Sequence, residues 1–364
     1  MSRWTFHHEH RILLLLFGGV GDVLLFTPAL EALAKEFPGI PIDAVVRNNG
    51  GERILKFNPH INQLIIYNWI SQNRTVQKFN LLKRIIKGKY TISITHCVDF
   101  DYKTGLVALL SGAKKRIGPD IRPHSLFYNL KVPMPEDQHF VHRNYLLVRK
   151  AGVKQPLDET LQFFLGREEK TYAEQFMDHS GIKPSHILIG IHPGGGLWRT
   201  SRRWPKENFR ELILRLINQP HIKILLMGGP SEREMVNEME NEIGPPILVA
   251  DKQLTLGEFG ALIQRCHLFV CNDGGPLQMA AAVGTPTMVV VGPTNIKAFA
   301  PLGGQHTIIR KPLPCSPCID YYNYQSDACS ELTCLKTISV LEVFNTIMDK
   351  VNNLDMLCRH PVPR

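Results

Sequence analysis

Short apolar runs alternate along the chain with segments of helical periodicity. In the first half, aliphatic and β-branched runs predict strands at residues 12–17, 42–46, 63–67 and 91–98. The segments between them predict helices at residues 23–37, 75–86 and 103–110. Strands that alternate with helices are typical of a parallel sheet covered by helices, so the pattern predicts an α/β fold.

The same alternation starts again after residue 183. It predicts strands at 187–192, 223–227, 247–250, 268–271 and 287–291, and helices at 205–217, 231–243, 255–266, 276–283 and 338–351. Two more helices, at 142–151 and 170–180, are predicted between the two sets of strands. Ser231 with Glu234, and Thr255 with Glu258, have the spacing of a capping box at the start of a helix.

The length of the chain favours two domains. A chain of 364 residues exceeds one ordinary hydrophobic core and fits two units of roughly 150–200 residues. Because the alternation restarts near residues 160–183, we expect an N-terminal domain at 1–170 and a C-terminal domain at 171–364.

Composition and charge narrow the class of protein. The longest apolar run is far shorter than the ~20 residues that span a bilayer, and the N-terminal residues lack the plan of a secretory signal, so we expect a cytoplasmic protein. The formal net charge is +9, and residues 74–150 hold 15 basic and 5 acidic residues. That excess favours an anionic membrane face or a phosphorylated glycolipid as partner, with a solvated basic surface as the alternative. No nucleic-acid partner is expected, because no nucleic-acid-binding module is present.

A glycine-rich turn follows the first predicted strand. It contains Gly18, Gly19 and Gly21, with Asp22 at its end. The spacing is not the full dinucleotide fingerprint. At the mouth of a parallel strand, a carboxylate lies in the ligand crevice and could take a proton from an attacking hydroxyl. The alternative is that Asp22 only caps the following helix.

A second glycine turn, followed by basic and hydroxyl residues, suits a diphosphate. It begins after His192 with Gly194 and Gly195, and continues to Thr200, Ser201 and Arg202. Backbone N–H groups and arginine forks bind phosphate well, although a flexible basic loop is the alternative. Glu232, after the next strand, could accept hydrogen bonds from a ribose or a base, or be a solvated carboxylate of a first helical turn.

A third turn follows the strand predicted at 268–271. It consists of Asp273, Gly274, Gly275 and Pro276, and its glycines permit close approach of a ligand to the backbone. Thr294 lies after the next strand and should line the same crevice. No zinc-protease, Walker or nucleophile-elbow motif is present.

Four of the eight cysteines cluster near the C-terminus, at Cys315, Cys318, Cys329 and Cys334. The first pair has C-x-x-C spacing, which zinc sites use, but four residues separate the members of the second pair. Three interpretations of this cluster are possible: free thiols in a compact loop, a redox-labile pair, or a structural zinc site.

Together, these turns resemble those of glycosyltransferase family nine, the ADP-heptose:lipopolysaccharide heptosyltransferases. The matching segments are Gly21-Asp22 with Thr27-Pro28, Arg116 to Gly118, His192-Pro193-Gly194, Arg203-Trp204-Pro205, Asp273 to Pro286, and Gly292-Pro293-Thr294. The resemblance runs in order from about residue 11 to residue 351.

The resemblance implies a GT-B fold, in which two Rossmann-like domains with parallel sheets face a central cleft. It implies an inverting transfer that needs no metal and no cofactor, with Asp22 as general base. It places Arg202, Glu232, Asp273, Gly274 and Gly275 at the donor, with the donor in the C-terminal half and the acceptor in the N-terminal half. From this and from the turns described above, we expect donor binding at Gly194, Gly195, Thr200, Ser201, Arg202, Glu232, Asp273, Gly274, Gly275, Pro276 and Thr294, and acceptor binding at Gly18, Gly19, Gly21, Arg116 and Arg122.

We therefore expect an enzyme that moves a heptose or a related sugar from an ADP-sugar to an inner-core lipopolysaccharide acceptor. The acceptor is an anionic glycolipid, so we also expect peripheral contact with the cytoplasmic face of the inner membrane. The alternatives are a GT-B transferase or epimerase that uses another nucleotide sugar, and a sugar-nucleotide-binding protein without catalysis.

Overall fold

The computed structural model describes residues 10–48, 50–68, 73–98, 101–121, 123–195, 200–250, 253–303, 305–319 and 329–359. The chain divides into two compact units. The first consists of Met1–Phe164 and Lys297–Leu302, and the second of Leu165–Ile296 and Gly303–Arg364. Each unit has its own parallel sheet.

The sheet of the first unit has the strand order β3-β2-β1-β4-β5-β6, and all described pairings are parallel. Its strands are β1 Ile12–Leu16, β2 Ile42–Arg47, β3 Gln63–Tyr67, β4 Ile92–Thr95, β5 Lys115–Pro119 and β6 Leu130–Val132. The helices before Phe164 are α1 Val20–Leu24, α2 Thr27–Glu36, α3 Gly51–Leu55, α4 Arg74–Lys87, α5 Tyr102–Leu110 and α6 Phe140–Lys150. All five residues of β1 are buried, as expected for a central strand covered on both faces.

The sheet of the second unit has the strand order β12-β11-β10-β7-β8-β9, again parallel. Its strands are β7 Ile187–His192, β8 Ile222–Leu226, β9 Leu248–Val249, β10 Leu268–Asn272, β11 Thr287–Val290 and β12 Thr307–Ile309. The later helices are α7 Arg167–His179, α8 Lys206–Leu216, α9 Arg233–Ile243, α10 Leu256–Arg265, α11 Gly275–Ala282, α12 Ile296–Phe299, α13 Thr333–Lys336 and α14 Val340–Arg359. Ile189, Ile191 and Leu226 pack with Trp204 and Phe209 in its buried core.

The helix predicted at residues 23–37 is two helices, because the chain turns at Leu25 and Phe26. Pro28 has no N–H group, so a continuous helix would leave the carbonyl of Leu24 without its donor. The hydroxyl of Thr27 donates to that carbonyl at 2.7 Å, which starts α2 at Thr27.

The start of α9 also differs from the prediction. Ser231 and Glu234 do not form the capping box. Gly229 has extended backbone, and its N–H donates to Glu232 Oε2 at 3.1 Å, while the N–H of Glu232 donates back to Gly229 O at 2.9 Å. The cap therefore lies two residues earlier, before a 3₁₀ turn at Pro230–Glu232. The predicted box of Thr255 and Glu258 is confirmed at α10.

Strands β5, β6 and β12 were not predicted. β5 contains Gly118 and Pro119, and a glycine followed by a proline is more typical of a turn than of a strand. The other two strands have three residues each and lie at opposite edges of their sheets, so they carry too short a pattern to be recognised.

Candidate active site

The strand order of the second sheet creates a ligand crevice at the carboxyl ends of its central strands β7 and β10. From the central strand β7 the chain proceeds to β8 on one side and later to β10 on the other, so the helices that follow these strands diverge. Ligands of open α/β sheets bind at the carboxyl ends of the strands at such a point. Gly194 and Gly195 follow β7, and Asp273 follows β10, which places two of the predicted donor turns side by side.

Asn272, which the sequence analysis did not single out, connects the segments around this crevice by hydrogen bonds. Its side-chain amide donates to Pro193 O at 2.8 Å and to Gly194 O at 2.9 Å, and its Oδ1 accepts the N–H of Trp204 at 2.9 Å. The residue is 2% exposed. The turn after β7, the segment before α8 and the end of β10 are thereby fixed to one another. Its position next to Asp273, at the end of a buried apolar strand, is the sequence signal that could have identified it.

Arg202 and Asp273 form a buried ion pair beside Asn272. Arg202 Nη1 lies 3.1 Å from Asp273 Oδ2, and both side chains are 8% exposed. The pair offsets the negative charge that Asp273 brings to a turn predicted to meet phosphate. Arg202 Nε is buried and has no hydrogen-bond partner among the described residues, so part of the guanidinium fork is left for a ligand.

Two buried hydroxyls of the predicted donor set are also without a protein partner in the described part of the chain. They are Ser201 Oγ, next to Arg202, and Thr294 Oγ1, after β11. A buried polar group with no partner costs about 1–3 kcal/mol, so native proteins keep few of them. Their occurrence within one predicted ligand set indicates a site for a polar molecule.

Glu232 and His192 lie against the glycine turn after β7. Glu232 is buried, and a Cβ atom added to Gly194 would lie 2.8 Å from Glu232 Cδ and 2.8 Å from His192 Cε1. Only glycine fits there. Burial lowers the pKa of His192, and the negative charge of Glu232 opposes that change.

The helix α11 begins at the third predicted turn. Gly274 is its N-cap, Gly275 is its first residue, and Pro276 lies in its first turn, where the absent proline N–H costs no hydrogen bond. The remaining N–H groups of the first turn are available to an anion. Residues 196–199, which belong to the basic loop between the second glycine turn and Thr200, lie outside the described residues.

In the first unit, the predicted catalytic turn lies at the corresponding point of its sheet, between β1 and β4. Gly19 is the N-cap of α1, and its N–H donates to Asp22 Oδ2 at 2.8 Å. Asp22 is the third residue of the helical turn and is half-buried. The carboxylate of Asp22 thus stabilises its own turn. It does so at the carboxyl end of β1, where ligands of open α/β sheets bind.

Because Gly18 has no side chain, Asp22 and His96 can both pack against it. A Cβ atom at Gly18 would lie 2.8 Å from both Asp22 Oδ2 and His96 Cε1. His96 follows β4 and is fully buried, and burial together with the positive charge of Arg47 lowers its pKa to about 3. The imidazole beside the turn that carries Asp22 is therefore neutral at physiological pH.

The structure does not bring Arg116 to this turn. Arg116 lies near the amino end of β5, in register with Ser93 of β4, whereas Gly18 follows the carboxyl end of β1. Its guanidinium donates to Phe127 O at 2.9 Å and to Ala113 O at 3.1 Å. Arg116 therefore braces the chain between α5 and β6. Gly21 lies in the first turn of α1, and Arg122 lies outside the described residues.

The clustered cysteines lie near the turn that carries Thr294. The N–H of Cys318 donates to Pro293 O at 3.0 Å, and Leu335, next to Cys334, packs against Gly292. Burial raises the pKa of the Cys318 thiol, and the neighbouring thiols of Cys329 and Cys315 raise it further. Among the described residues, no three potential metal ligands converge on one point. In the same described part of the chain, no helix combines the length and apolarity that crossing a bilayer requires.

Known proteins share this architecture. The family model for glycosyltransferase family 9 (heptosyltransferase) matches residues 79–327. Lipopolysaccharide heptosyltransferase 3 of Escherichia coli is 27% identical over 290 residues, which are 76% of this chain and 81% of that protein. The crystal structure of the family 9 glycosyltransferase of Veillonella parvula superposes with a TM-score of 0.79 at 22% identity, covering 96% of this chain and 97% of that one. E. coli ADP-heptose LPS heptosyltransferase II superposes with a TM-score of 0.74 at 21% identity, covering 95% and 98%.

Two α/β units, each with a parallel sheet and glycine turns at the carboxyl ends of its strands, make up the GT-B fold of the structural relatives, and the prediction of two Rossmann-like domains is confirmed. Because the family model matches well over half of the sequence, the chain belongs to glycosyltransferase family 9, the heptosyltransferases. The predicted resemblance and the prediction of an enzyme are confirmed as well.

Proposed function

We propose that the enzyme transfers a heptose, or a closely related sugar, from an ADP-sugar to an inner-core lipopolysaccharide acceptor with inversion at the anomeric carbon. The observation that carries the donor half is the buried group of polar atoms without partners, Arg202 Nε, Ser201 Oγ and Thr294 Oγ1, at the donor turns of the second unit. The name of one structural relative, ADP-heptose LPS heptosyltransferase II, supports ADP-heptose as the donor.

In this proposal, the diphosphate accepts hydrogen bonds from the Arg202 fork, from Ser201 and Thr294, and from N–H groups of Gly194, Gly195 and the first turn of α11, where Gly274, Gly275 and Pro276 stand. Thr200 opens the 3₁₀ turn that presents Ser201 and Arg202. Asp273 orients Arg202 through their ion pair. Glu232 is proposed to accept hydrogen bonds from the nucleoside hydroxyls.

Asp22 is proposed as the base that removes the proton from the acceptor hydroxyl. The oxygen of that hydroxyl then forms a bond to the anomeric carbon, from the face opposite to the departing ADP, and the bond between that carbon and the ADP oxygen breaks with its electrons on ADP. The hydrogen bond from Gly19 N–H to Asp22 Oδ2 holds the carboxylate in place for this step. Gly18, Gly19 and Gly21 leave room for the acceptor at the backbone.

We further propose peripheral contact with the cytoplasmic face of the inner membrane. Helix α4 supports this proposal, because Phe79 is 67% exposed on the same helix as Lys83 and Lys87. An exposed aromatic side chain beside lysines is typical of a surface that lies on anionic lipid.

The replacement Asp22→Asn tests the assignment of the base. It keeps the shape of the side chain and an oxygen that can accept from Gly19 N–H, but it removes the basicity. Turnover should fall roughly 10²–10⁴-fold, the usual loss for a general base, while the dissociation constant for ADP changes little. The measurements are ADP release in a coupled assay and ADP titration by calorimetry. Near-normal turnover of the variant would reject Asp22 as the base.

Two further measurements address the donor and the stereochemistry. When ADP-, UDP- and GDP-activated sugars are compared as donors, only the ADP-sugar should support transfer. NMR of the product should show the anomeric configuration opposite to that of the donor. Tight ADP-sugar binding without any product would indicate a binding protein rather than a transferase.

A further inference from the structure

A second cavity lies in the first unit, apart from the donor turns. It has a volume of about 470 Å³, which lies within the range of small-molecule sites. It is bounded by α4, α5 and the residues at the carboxyl ends of β1, β2 and β3. Phe17 lines it and immediately precedes Gly18, so the cavity begins next to the catalytic turn.

The wall of this cavity is largely apolar. Phe17, Leu81, Leu82, Leu106, Val107 and Leu110 contribute to it. Phe17 and Tyr67 meet edge to face, with ring centroids 6.2 Å apart, which gives the inner end an aromatic floor. Leu110 is 41% exposed, so the apolar lining continues to the surface.

Cationic side chains accompany this apolar wall. Arg47 lies over the ring of Phe17, 5.8 Å from its centroid, and Lys78 and Lys103 also line the cavity. The one acidic lining residue, Asp101, caps α5 by accepting from Lys103 N at 2.9 Å and lies 3.6 Å from Lys103 Nζ. Among the described residues, Lys78 has no ion pair. An apolar cavity with a surplus of positive charge complements a hydrocarbon chain that carries an anionic group.

The helices on either side of the cavity present further apolar side chains to solvent. Phe79 follows Lys78 in α4, and Tyr102, which is 52% exposed, precedes Lys103 in α5. Lys103 Nζ lies 5.7 Å from the centroid of the Tyr102 ring. Aromatic rings beside lysines are common where a protein meets the headgroup layer of a membrane. A hydrocarbon chain could therefore enter the cavity from a bilayer without crossing water.

We propose that this cavity binds an acyl chain of the lipid-anchored acceptor, with Arg47, Lys78 and Lys103 beside a phosphate on the sugar that carries that chain. The proposal rests on the proposed function, since the acceptor is taken to be an acylated, phosphorylated glycolipid. It adds that recognition extends beyond the saccharide to the lipid. The position of Phe17 next to Gly18 places the end of this lipid site beside the turn that carries Asp22.

The test uses two tryptophan substitutions at neighbouring positions of α5. Leu110 lines the cavity, whereas Leu109, which is 40% exposed, does not. Leu110→Trp fills the cavity, and Leu109→Trp is its matched control. Circular dichroism and the melting temperature should show that both variants fold as the wild type does.

Kinetics should be measured with an acylated acceptor and with the same saccharide after its acyl chains are removed. For Leu110→Trp we expect KM for the acylated acceptor to rise about tenfold, the effect of excluding about two methylene groups, with kcat nearly unchanged. KM for the deacylated acceptor should not change, and Leu109→Trp should alter neither. Equal effects of Leu110→Trp on both acceptors, or no effect on either, would overturn the proposal.

A binding measurement separates this proposal from the proposed function. The probe is dodecyl phosphate, below the concentration at which it forms micelles, titrated by calorimetry. The wild type and Leu109→Trp should bind it, and Leu110→Trp and Lys78→Glu should bind about tenfold more weakly. Lys150→Glu makes the same charge change at an exposed position of α6 outside the cavity and should not differ from the wild type. Failure of the wild type to bind, or unchanged binding by Leu110→Trp, would reject the cavity as a lipid site. A wild type that binds the probe but transfers no sugar would instead reject the proposed function.

Discussion

At the scale of single residues, the donor turns combine well-satisfied polar groups with unsatisfied ones. Asn272 uses both ends of its amide on neighbouring backbone, and Asp273 is paired with Arg202. By contrast, Thr294 Oγ1 and Ser201 Oγ are buried without a partner in the described chain. The first group fixes the geometry of the turns, and the second is left with hydrogen-bonding capacity that a ligand can use.

This division predicts opposite effects for two buried threonines. Thr294→Val removes a hydroxyl without a partner, so the free energy of unfolding should stay the same or rise by up to about 1 kcal/mol. The affinity for ADP should fall about tenfold, because one hydrogen bond to the ligand is lost. Urea denaturation and ADP calorimetry measure the two quantities.

Thr287→Val is the matched control. Thr287 is fully buried at the start of β11, and its hydroxyl lies 2.8 Å from His306 Nδ1. Removing that hydroxyl should lower the free energy of unfolding by about 1 kcal/mol and leave ADP affinity unchanged. An equal loss of ADP affinity in both variants would contradict a direct contact between Thr294 and the donor.

At the scale of elements, the turn from β1 to α1 is tightly packed around Gly18. Gly18 leaves no space for a side chain, because an added Cβ would lie 2.8 Å from both Asp22 Oδ2 and His96 Cε1. Gly19 is less restricted: a Cβ there would lie 3.6 Å from Asp22 Oδ2, an ordinary contact distance. The two adjacent glycines therefore differ in how strongly they determine the position of the Asp22 carboxylate.

Gly18→Ala should displace Asp22 and lower kcat by roughly tenfold to a hundredfold, because a shift of about 1 Å at a reacting group costs that much. It should also lower the free energy of unfolding by about 1–3 kcal/mol, since the added methyl overpacks the turn. Gly19→Ala should have a much smaller effect on both quantities. Steady-state kinetics and urea denaturation provide the comparison, and similar behaviour of the two variants would contradict this account of the turn.

At the scale of the whole molecule, a short segment that lies between two parts of the second unit in sequence belongs to the first unit. Residues Lys297–Leu302 cluster with it, and the chain then returns to the second unit at Gly303. Phe299 stacks on Phe140 with ring centroids 4.4 Å apart, and His139 Nε2 lies 2.9 Å from Ala300 O. Because His139 Nδ1 accepts the N–H of Val141, the proton must be on Nε2, which donates to Ala300 O.

This arrangement requires a neutral His139, which gives folding stability a pH dependence. Burial lowers the pKa of His139 to about 4, from the usual histidine value of 6.5. Below pH 6.5 the unfolded chain binds a proton that the folded chain excludes, so this contribution to stability is complete above pH 6.5 and lost as the pH falls toward 4. The loss from this residue should be up to about 3 kcal/mol.

The variant His139→Asn isolates that contribution. Asparagine retains a side-chain acceptor for the start of α6 but does not titrate. The free energy of unfolding, measured in urea between pH 7 and pH 4, should fall less steeply in the variant than in the wild type. A wild-type slope retained in the variant would show that other groups, such as His96, account for the acid sensitivity.

Much of this organisation was predictable from local patterns. Buried parallel strands such as β7 are short apolar runs followed by a glycine-containing turn, and their bounds could be predicted closely. Helix α10 was predictable from Thr255 and Glu258, because a capping box depends on neighbours in sequence. The break before α2 was not predicted, because the donor to Leu24 O is a side chain whose role appears only when the turn is built.

The sequence alone determined the two α/β units, the family, and the set of turns from which a site could be formed, because apolar periodicity and glycine placement act over a few residues. Only the tertiary structure decided which members of that set meet. It paired Arg202 with Asp273, made Asn272 the link between three segments, and assigned Arg116 to a structural role in β5. These outcomes depend on strand order and register, which bring together residues about 70 positions apart, and no local pattern encodes such distances.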